Sequence, residues 1–165
     1  MKYYTAHWGV SLTIVSVLFT CALFYGGFAG FAHEGGLTPS QGIACLGLVL
    51  GCALFTICGY TVTPDAILIH RPFWSTHLSR DGLRSATFEP RAMRWSIRAG
   101  NGGVFSITGL FWNKSLGLYR AFVTDGRQTV VLRYTGRTVV VSPSSPEEFV
   151  QALVPTQATS RSVGL

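Results

Sequence analysis

Residues 119–150 read YRAFVTDGRQTVVLRYTGRTVVVSPSSPEEFV. Three runs rich in β-branched and aromatic residues, 119–124, 129–134 and 138–142, are separated by Asp125-Gly126 and Thr135-Gly136. Turn dipeptides between such runs predict an antiparallel meander. Ser145-Pro146-Glu147-Glu148 follows, with Ser at the N-cap, Pro at the first helical position and Glu at the third, which is a capping box. The helix it opens sets Phe149, Val150 and Leu153 on one face, and Pro155 limits its length. So short a helix is marginal in water, so that face must dock on the sheet. Residues 155–165 read as a disordered tail.

Upstream, 66–71 (AILIHR) is another short strand, opening after Pro64-Asp65, a turn signal. Residues 88–97 alternate less clearly. Glycines stand at 100, 102, 103, 109 and 117. A dinucleotide cradle needs GxGxxG between a strand and a helix, and a P-loop needs Gly-Lys-Ser/Thr. Here Val104-Phe105-Ser106-Ile107 reads as strand, and no glycine precedes Lys114-Ser115. The expectation is a hairpin turn at 100–103, with Gly109 and Gly117 bracketing a loop over 110–116.

The first third of the chain differs in kind. The 165 residues are 48% hydrophobic and only 12% charged, about half the charge of an ordinary globular protein. Residues 3–33 carry no formal charge, 35–64 carry none, and Glu34 stands between them. From Asp65 onward there are 12 bases and 6 acids, so this region carries the whole net charge of +6. The uncharged runs 8–31 and 41–60 are each about the 20 residues a helix needs to cross a bilayer. The connection FAHEGGLTPSQ, 31–41, contains two glycines, a proline, and Thr38 or Ser40 as a cap for the second helix. Residues 1–60 therefore read as a two-helix transmembrane hairpin. The bases flanking the spans place both termini in the cytoplasm, in the inner (plasma) membrane. A cleaved signal peptide fits less well, because its apolar core is only about 7–15 residues. Gly26 with Gly30, and Gly47 with Gly51, form small-xxx-small pairs. These suit either packing of the two spans on each other or a dimer face.

Short antiparallel strands closed by one helix resemble the bacterial pleckstrin-homology-like (PH-like) families, especially those fused to membrane spans. The residues that carry the resemblance are Tyr60-Thr61-Val62-Thr63-Pro64-Asp65, the segment 109–117, Leu118-Tyr119-Arg120-Ala121-Phe122-Val123-Thr124, and Val139-Val140-Val141-Ser142-Pro143 leading to Pro146-Glu147-Glu148-Phe149. The fold class expected is α+β: the hairpin, then over 61–154 a bent antiparallel sheet or barrel of about seven strands, plugged by a C-terminal helix. Eukaryotic PH domains that bind phosphoinositides cluster bases in the first hairpin loop. The equivalent stretch here, 71–80, has only Arg71 and Arg80 with His70 and His77 nearby, so that specificity does not carry over.

Two segments place aromatics beside a base: Arg71-Pro72-Phe73-Trp74 and Phe111-Trp112-Asn113-Lys114. Tryptophan with nearby Lys or Arg is a signature of the membrane surface, whereas bulky aromatics in a small domain more commonly pack inside it. Arg71, Phe73, Trp74, Phe111, Trp112 and Lys114 are the candidate headgroup contacts. Catalysis has no visible constellation. Asp65, Asp81 and Asp125 lie beside turns, Glu147 and Glu148 have a capping role, and His70 and His77 lack partners at metal-ligand spacing. Cys21, Cys45, Cys52 and Cys58 form no CxxC pair, so neither a metal site nor a disulfide framework is indicated. No cofactor is implied. The bases are scattered without a recognition helix, which argues against nucleic acid. The expectation is a non-catalytic binding module whose partner is the lipid bilayer or a protein. The alternative is a structural subunit that self-associates through its helices or its PH-like domain, and an enzyme is a distant third.

Overall fold

The computed structural model describes residues 1–32 and 38–153, with side-chain surroundings for all of these but 27–32, 39 and 98–103. The chain opens with a strand, β1 (Lys2–Thr5), followed by two helices, α1 (Val10–Ala32) and α2 (Pro39–Leu54). Then come β2 (Gly59–Val62), β3 (Ala66–His70), β4 (Ser75–Ser79), β5 (Leu83–Phe88), β6 (Ile97–Val104), β7 (Ser106–Asn113), β8 (Gly117–Val123), β9 (Val130–Tyr134), β10 (Arg137–Val141) and α3 (Pro146–Leu153). One sheet has the order β1-β2-β3-β4; the other has the order β5-β9-β10-β8-β7-β6.

Among the described residues, no helix is long and apolar enough to cross a membrane. This overturns the expected two-span transmembrane hairpin, and with it the multi-pass inner-membrane location with both termini cytoplasmic. The physical reason lies at the helix ends. The first turns of α1 belong to the β-domain: the Gly9 N–H donates to the Thr124 carbonyl (3.0 Å), Leu12 and Ser16 are buried, and the Phe105 N–H donates to Ser16 Oγ (2.9 Å). That leaves residues 17–32, about 24 Å of helix at 1.5 Å per residue. With its 16 residues, α2 is equally short of a hydrocarbon core about 30 Å thick. Thr38 stands at its N-cap, with the Thr38 N–H donating to Gln41 Oε1 at 2.8 Å. Nor is the hairpin a separate preface, because β1 pairs antiparallel with β2 in the register Tyr4↔Tyr60.

The expected single antiparallel sheet of about seven strands is also corrected. There are ten strands among the described residues, in two sheets, and β10 runs parallel to β8. Asp125-Gly126 does not close a hairpin. The chain crosses from β8 over β10 to reach β9, and Ser142 pins the crossing: its Oγ accepts the Thr124 N–H (2.8 Å) and the Asp125 N–H (3.2 Å). Thr135-Gly136 does close the β9–β10 hairpin, with Gly136 at φ 88°. Residues 100–102 are strand rather than turn. They pair with Gly109, Thr108 and Ile107, and the reversal comes at Phe105, φ 61°.

Strands β9 and β10 and the end of β8, 121–123, are largely buried on both faces, which explains their near-continuous apolar runs, whereas Leu118 and Arg120 of β8 are exposed. Phe122, Val130, Leu132, Tyr134, Val139 and Val141 meet Tyr60, Ile67, Ile69 and Leu78 of the first sheet, and Phe149 and Leu153 of α3 close that core. Tyr4 of β1 packs edge-on against Phe149, 5.2 Å between centroids. On the opposite face Phe111, Tyr119, Ala121, Val123, Val131 and Val140 form a second core, roofed by Ala92 and Met93 of the loop 89–96. Residues 33–37 of the connection, among them His33 and Glu34, and the whole of the expected disordered tail 155–165 lie outside the described residues.

Candidate functional site

Alternation along a strand sends successive side chains to opposite faces, and this decides the fate of the second aromatic segment. Phe111 is buried and stacks on Tyr119 at 5.9 Å. Its neighbour Trp112 is 45% exposed on the other face. The register places Trp112 opposite Leu118 and Ile97, and Leu110 opposite Arg120. Leu118 is 65% and Ile97 68% exposed, and Leu110 is also open. Lys114 is exposed in the turn that follows. Arg120 stands on this face by the same register, and the sequences of β6, β7 and β8 contain neither Asp nor Glu. The outcome is an apolar, basic face with a tryptophan near its centre.

The first aromatic segment does different work. Arg71 is buried, with only 8% of its surface exposed. Its Nη1 donates to the carbonyl of Phe55, the residue capping α2, at 2.8 Å, and Ser106 Oγ donates to the same oxygen at 3.0 Å. A cation at a helix C-terminus meets the negative end of the helix dipole. The guanidinium lies 5.6 to 5.8 Å from the ring centres of Phe55, Phe122 and Trp74. No carboxylate pairs with it among the described residues, and its Nε has no hydrogen-bond partner. Burial holds its pKa below the usual guanidinium value, the charge of Arg120 adds to this, and Tyr60 opposes it. It remains a cation at neutral pH. Trp74 packs edge-on against Phe55 at 5.4 Å, and Phe73 projects into the open.

Of the six candidate contacts, Trp112 and Lys114 share one surface region, and Phe73 and Trp74 are exposed at the β3–β4 turn. Phe111 is in the core, and Arg71 anchors α2. Leu110, Leu118, Ile97 and Arg120 complete the face and were missed. The alternation of 118 and 120 against 119 and 121 held the signal, but the register with β7 is needed to join them to Trp112. Gly26, Gly47 and Gly51 have open space where a Cβ would stand, so the packing of α1 on α2 does not depend on them. Gly30 lies in the part of α1 whose side-chain surroundings fall outside the described residues.

A family model described as Bacterial PH domain matches residues 58–156, more than half the chain. The chain belongs to the bacterial PH domain family. No curated protein and no solved structure matches it. The family match begins at the residues joining α2 to β2 and ends just past α3, so it takes in both sheets except β1. PH-like domains are generally non-catalytic binding modules. Among the described residues, no group of three His, Cys, Asp or Glu is placed to hold a metal ion.

Proposed function

We propose that this bacterial PH domain is a binding module whose ligand is an anionic lipid surface, met peripherally by the open face of β6, β7 and β8. The observation that carries the reading is the grouping of Trp112, Leu110, Leu118 and Ile97, all exposed, with Arg120 on the same face and no acid in the three strands. Tryptophan and leucine settle at the headgroup boundary, and each nearby base adds about 1 kcal/mol of attraction to anionic lipid. The exposed apolar side chains of α1 and α2, among them Leu18, Phe24, Ile43 and Leu50, also call for a non-aqueous cover. Lying along the same boundary supplies one without a crossing. The open groove over Gly47 and Gly51, which reaches Phe55 and Thr108, favours a second reading, self-association of the chain through α2.

Flotation of the full chain with phosphatidylglycerol or phosphatidylcholine vesicles tests the proposal. The expected result is a clear preference for the anionic vesicles. Exchanging both Lys114 and Arg120 for Gln should weaken that preference by about 30-fold, at about 1 kcal/mol per base. Equal flotation on both lipids, unchanged by the double variant, would overturn it. If a constant dimer mass then persisted by analytical ultracentrifugation, self-association would take its place.

A further inference from the structure

On the Phe111 side of the second sheet, away from the Trp112 face, a cleft of about 610 Å³ opens between the start of α1 and the loop 89–96. Its wall includes Arg91 and Arg94 from the loop and Arg127 from the β8–β9 crossing, with Asp125 as the lone acid among the described residues that line it. Three positive charges against one negative leave the lining at +2. None of these arginines joins the two ion pairs made among the described residues, Lys2–Glu148 and Arg133–Glu89. Asp125 is already engaged, since its Oδ1 accepts the Arg127 backbone N–H at 2.9 Å. Convergent cations in a concave site concentrate anions there.

The loop that holds two of these arginines is fixed in place. Thr129 Oγ1 donates to the Glu89 carbonyl and accepts the Ala92 N–H (3.1 Å). Asn113 Nδ2 donates to the Ala92 carbonyl (2.9 Å) and to Ser96 Oγ (3.1 Å). Ser96 Oγ also bonds the Tyr119 hydroxyl at 2.6 Å. Within this frame Arg91 and Trp95 hold left-handed backbone, φ 61° and 59°. Non-glycine residues adopt it at a cost of about 1–3 kcal/mol, and such strain gathers at functional sites. The result is to leave Trp95 86% exposed at the cleft, with the Arg94 guanidinium 5.8 Å from its ring centre. A solvent-exposed tryptophan on a loop held at Ala92 and Ser96, beside arginines that join no ion pair among the described residues, can stack a flat ring while the guanidinium forks take a phosphate.

We infer that this cleft binds a small, water-soluble phosphate monoester carrying a planar ring, with the phosphate on Arg91, Arg94 and Arg127 and the ring on Trp95. The ligand is a soluble one because the two faces of β7 point in opposite directions, so a surface resting on Trp112 leaves the cleft in water. The choice of a soluble ligand rests on that reading of the Trp112 face, whereas phosphate-ester binding in the cleft does not.

Calorimetric titration of the full chain with phenyl phosphate, inorganic phosphate and phenol tests it. Saturable binding of phenyl phosphate is expected, with inorganic phosphate about tenfold weaker and phenol not bound. Exchanging Arg91 and Arg127 for Gln should weaken phenyl phosphate by about 30-fold or more. Arg91→Lys with Arg127→Lys keeps the charge but not the fork and should bind more tightly than the paired Gln variant, though below the unaltered chain, which separates lost charge from lost folding. Trp95→Ala should weaken phenyl phosphate while leaving inorganic phosphate unchanged. Absence of saturation, or equal binding by the paired Gln variant, would overturn the inference, as would acetate binding as tightly as inorganic phosphate.

Discussion

The segments 71–74 and 111–114 look alike in composition, each with two aromatics and one base, yet they are built for opposite ends. In the first, the base is buried and the aromatics gather around it: Arg71 sits among Phe55, Trp74 and Phe122 and holds the end of α2, while Phe73 is left open. In the second, an aromatic is buried and the base is left out: Phe111 is core, and Trp112 and Lys114 face outward. The difference comes from where each segment sits. A turn between β3 and β4 bends one segment back over the helix end, whereas strict alternation along β7 divides the other between two faces. Composition marks a surface motif, but backbone geometry decides which member reaches the surface.

The sharpest way to break the comparison is Phe111→Ala. Removing a fully buried phenyl stacked on Tyr119 should cost about 3–5 kcal/mol, lowering the unfolding temperature by about 10 °C. A loss under about 1 kcal/mol in denaturant titration would mean Phe111 is not core. Next comes Tyr60, buried beside the first segment, where the charge of Arg71 reaches it. Its hydroxyl donates to the Phe122 carbonyl (2.7 Å) and accepts the Ser142 N–H (3.3 Å). Burial pushes its pKa up to about 12, against the Ser142 bonds and Arg71, which lower it. Below pH 10 folded and unfolded chains both keep the proton. As pH rises through 10 the unfolded chain loses it first, so stability falls between pH 10 and about 12, by about 3 kcal/mol in all. Tyr119 and Tyr134, also raised by burial, contribute in the same direction. Tyr60→Phe should flatten most of this slope in denaturant titrations at pH 9 and 11, and an unchanged slope would assign it elsewhere.

What the sequence made legible was local. The β9–β10 hairpin follows from Thr135-Gly136, and α3 starts where the capping box places it, the Phe149 N–H donating to the Ser145 carbonyl. Phe149 and Leu153 are buried as the helical face requires, with Val150 at the margin. The rest depends on distant pairings that no local pattern encodes. Lys2–Thr5 has to find Gly59–Val62 across both helices, and β10 has to enter between β8 and β9. Glycines suggested a turn at 100–103, but the ladder continues to Phe105, and α1 lies against that strand. The Trp112 half of the candidate face could be read from its aromatics and base, whereas Leu118 and Arg120 join it only through register. The hairpin was misread because an uncharged run measures apolarity alone. It does not show that Leu12 and Ser16 are already spent against the domain.

A smaller effect sharpens the role of the first segment. Arg71→Met keeps the stem's packing but removes the donor to Phe55, a charged hydrogen bond of about 1.5–3 kcal/mol. It also relieves a buried cation that has no acid and lies near Arg120, which offsets part of the loss. The net cost should be about 1 kcal/mol, measured by denaturant titration, with hydrogen exchange rising at the last turn of α2. If exchange rises nowhere near Phe55, the guanidinium is not what holds the helix end.

The smallest effect on stability should come from Trp112→Ala, and it tests the other half of the comparison. Trp112 is half open, its neighbours Leu118 and Ile97 are more so, and the underlying core is built by Phe111, Tyr119 and Ala121 on the reverse side of the sheet. Surface truncations of this kind stay within about 0.5 kcal/mol. Vesicle flotation should respond far more than folding does, because the indole is the largest side chain on the face and the one suited to the headgroup boundary. A pair of results therefore separates an anchor from a contact: Arg71→Met moves stability and leaves flotation nearly unchanged, and Trp112→Ala does the reverse. If Trp112→Ala unfolds the chain as readily as Phe111→Ala, the two sides of β7 are both core and the open face does not exist.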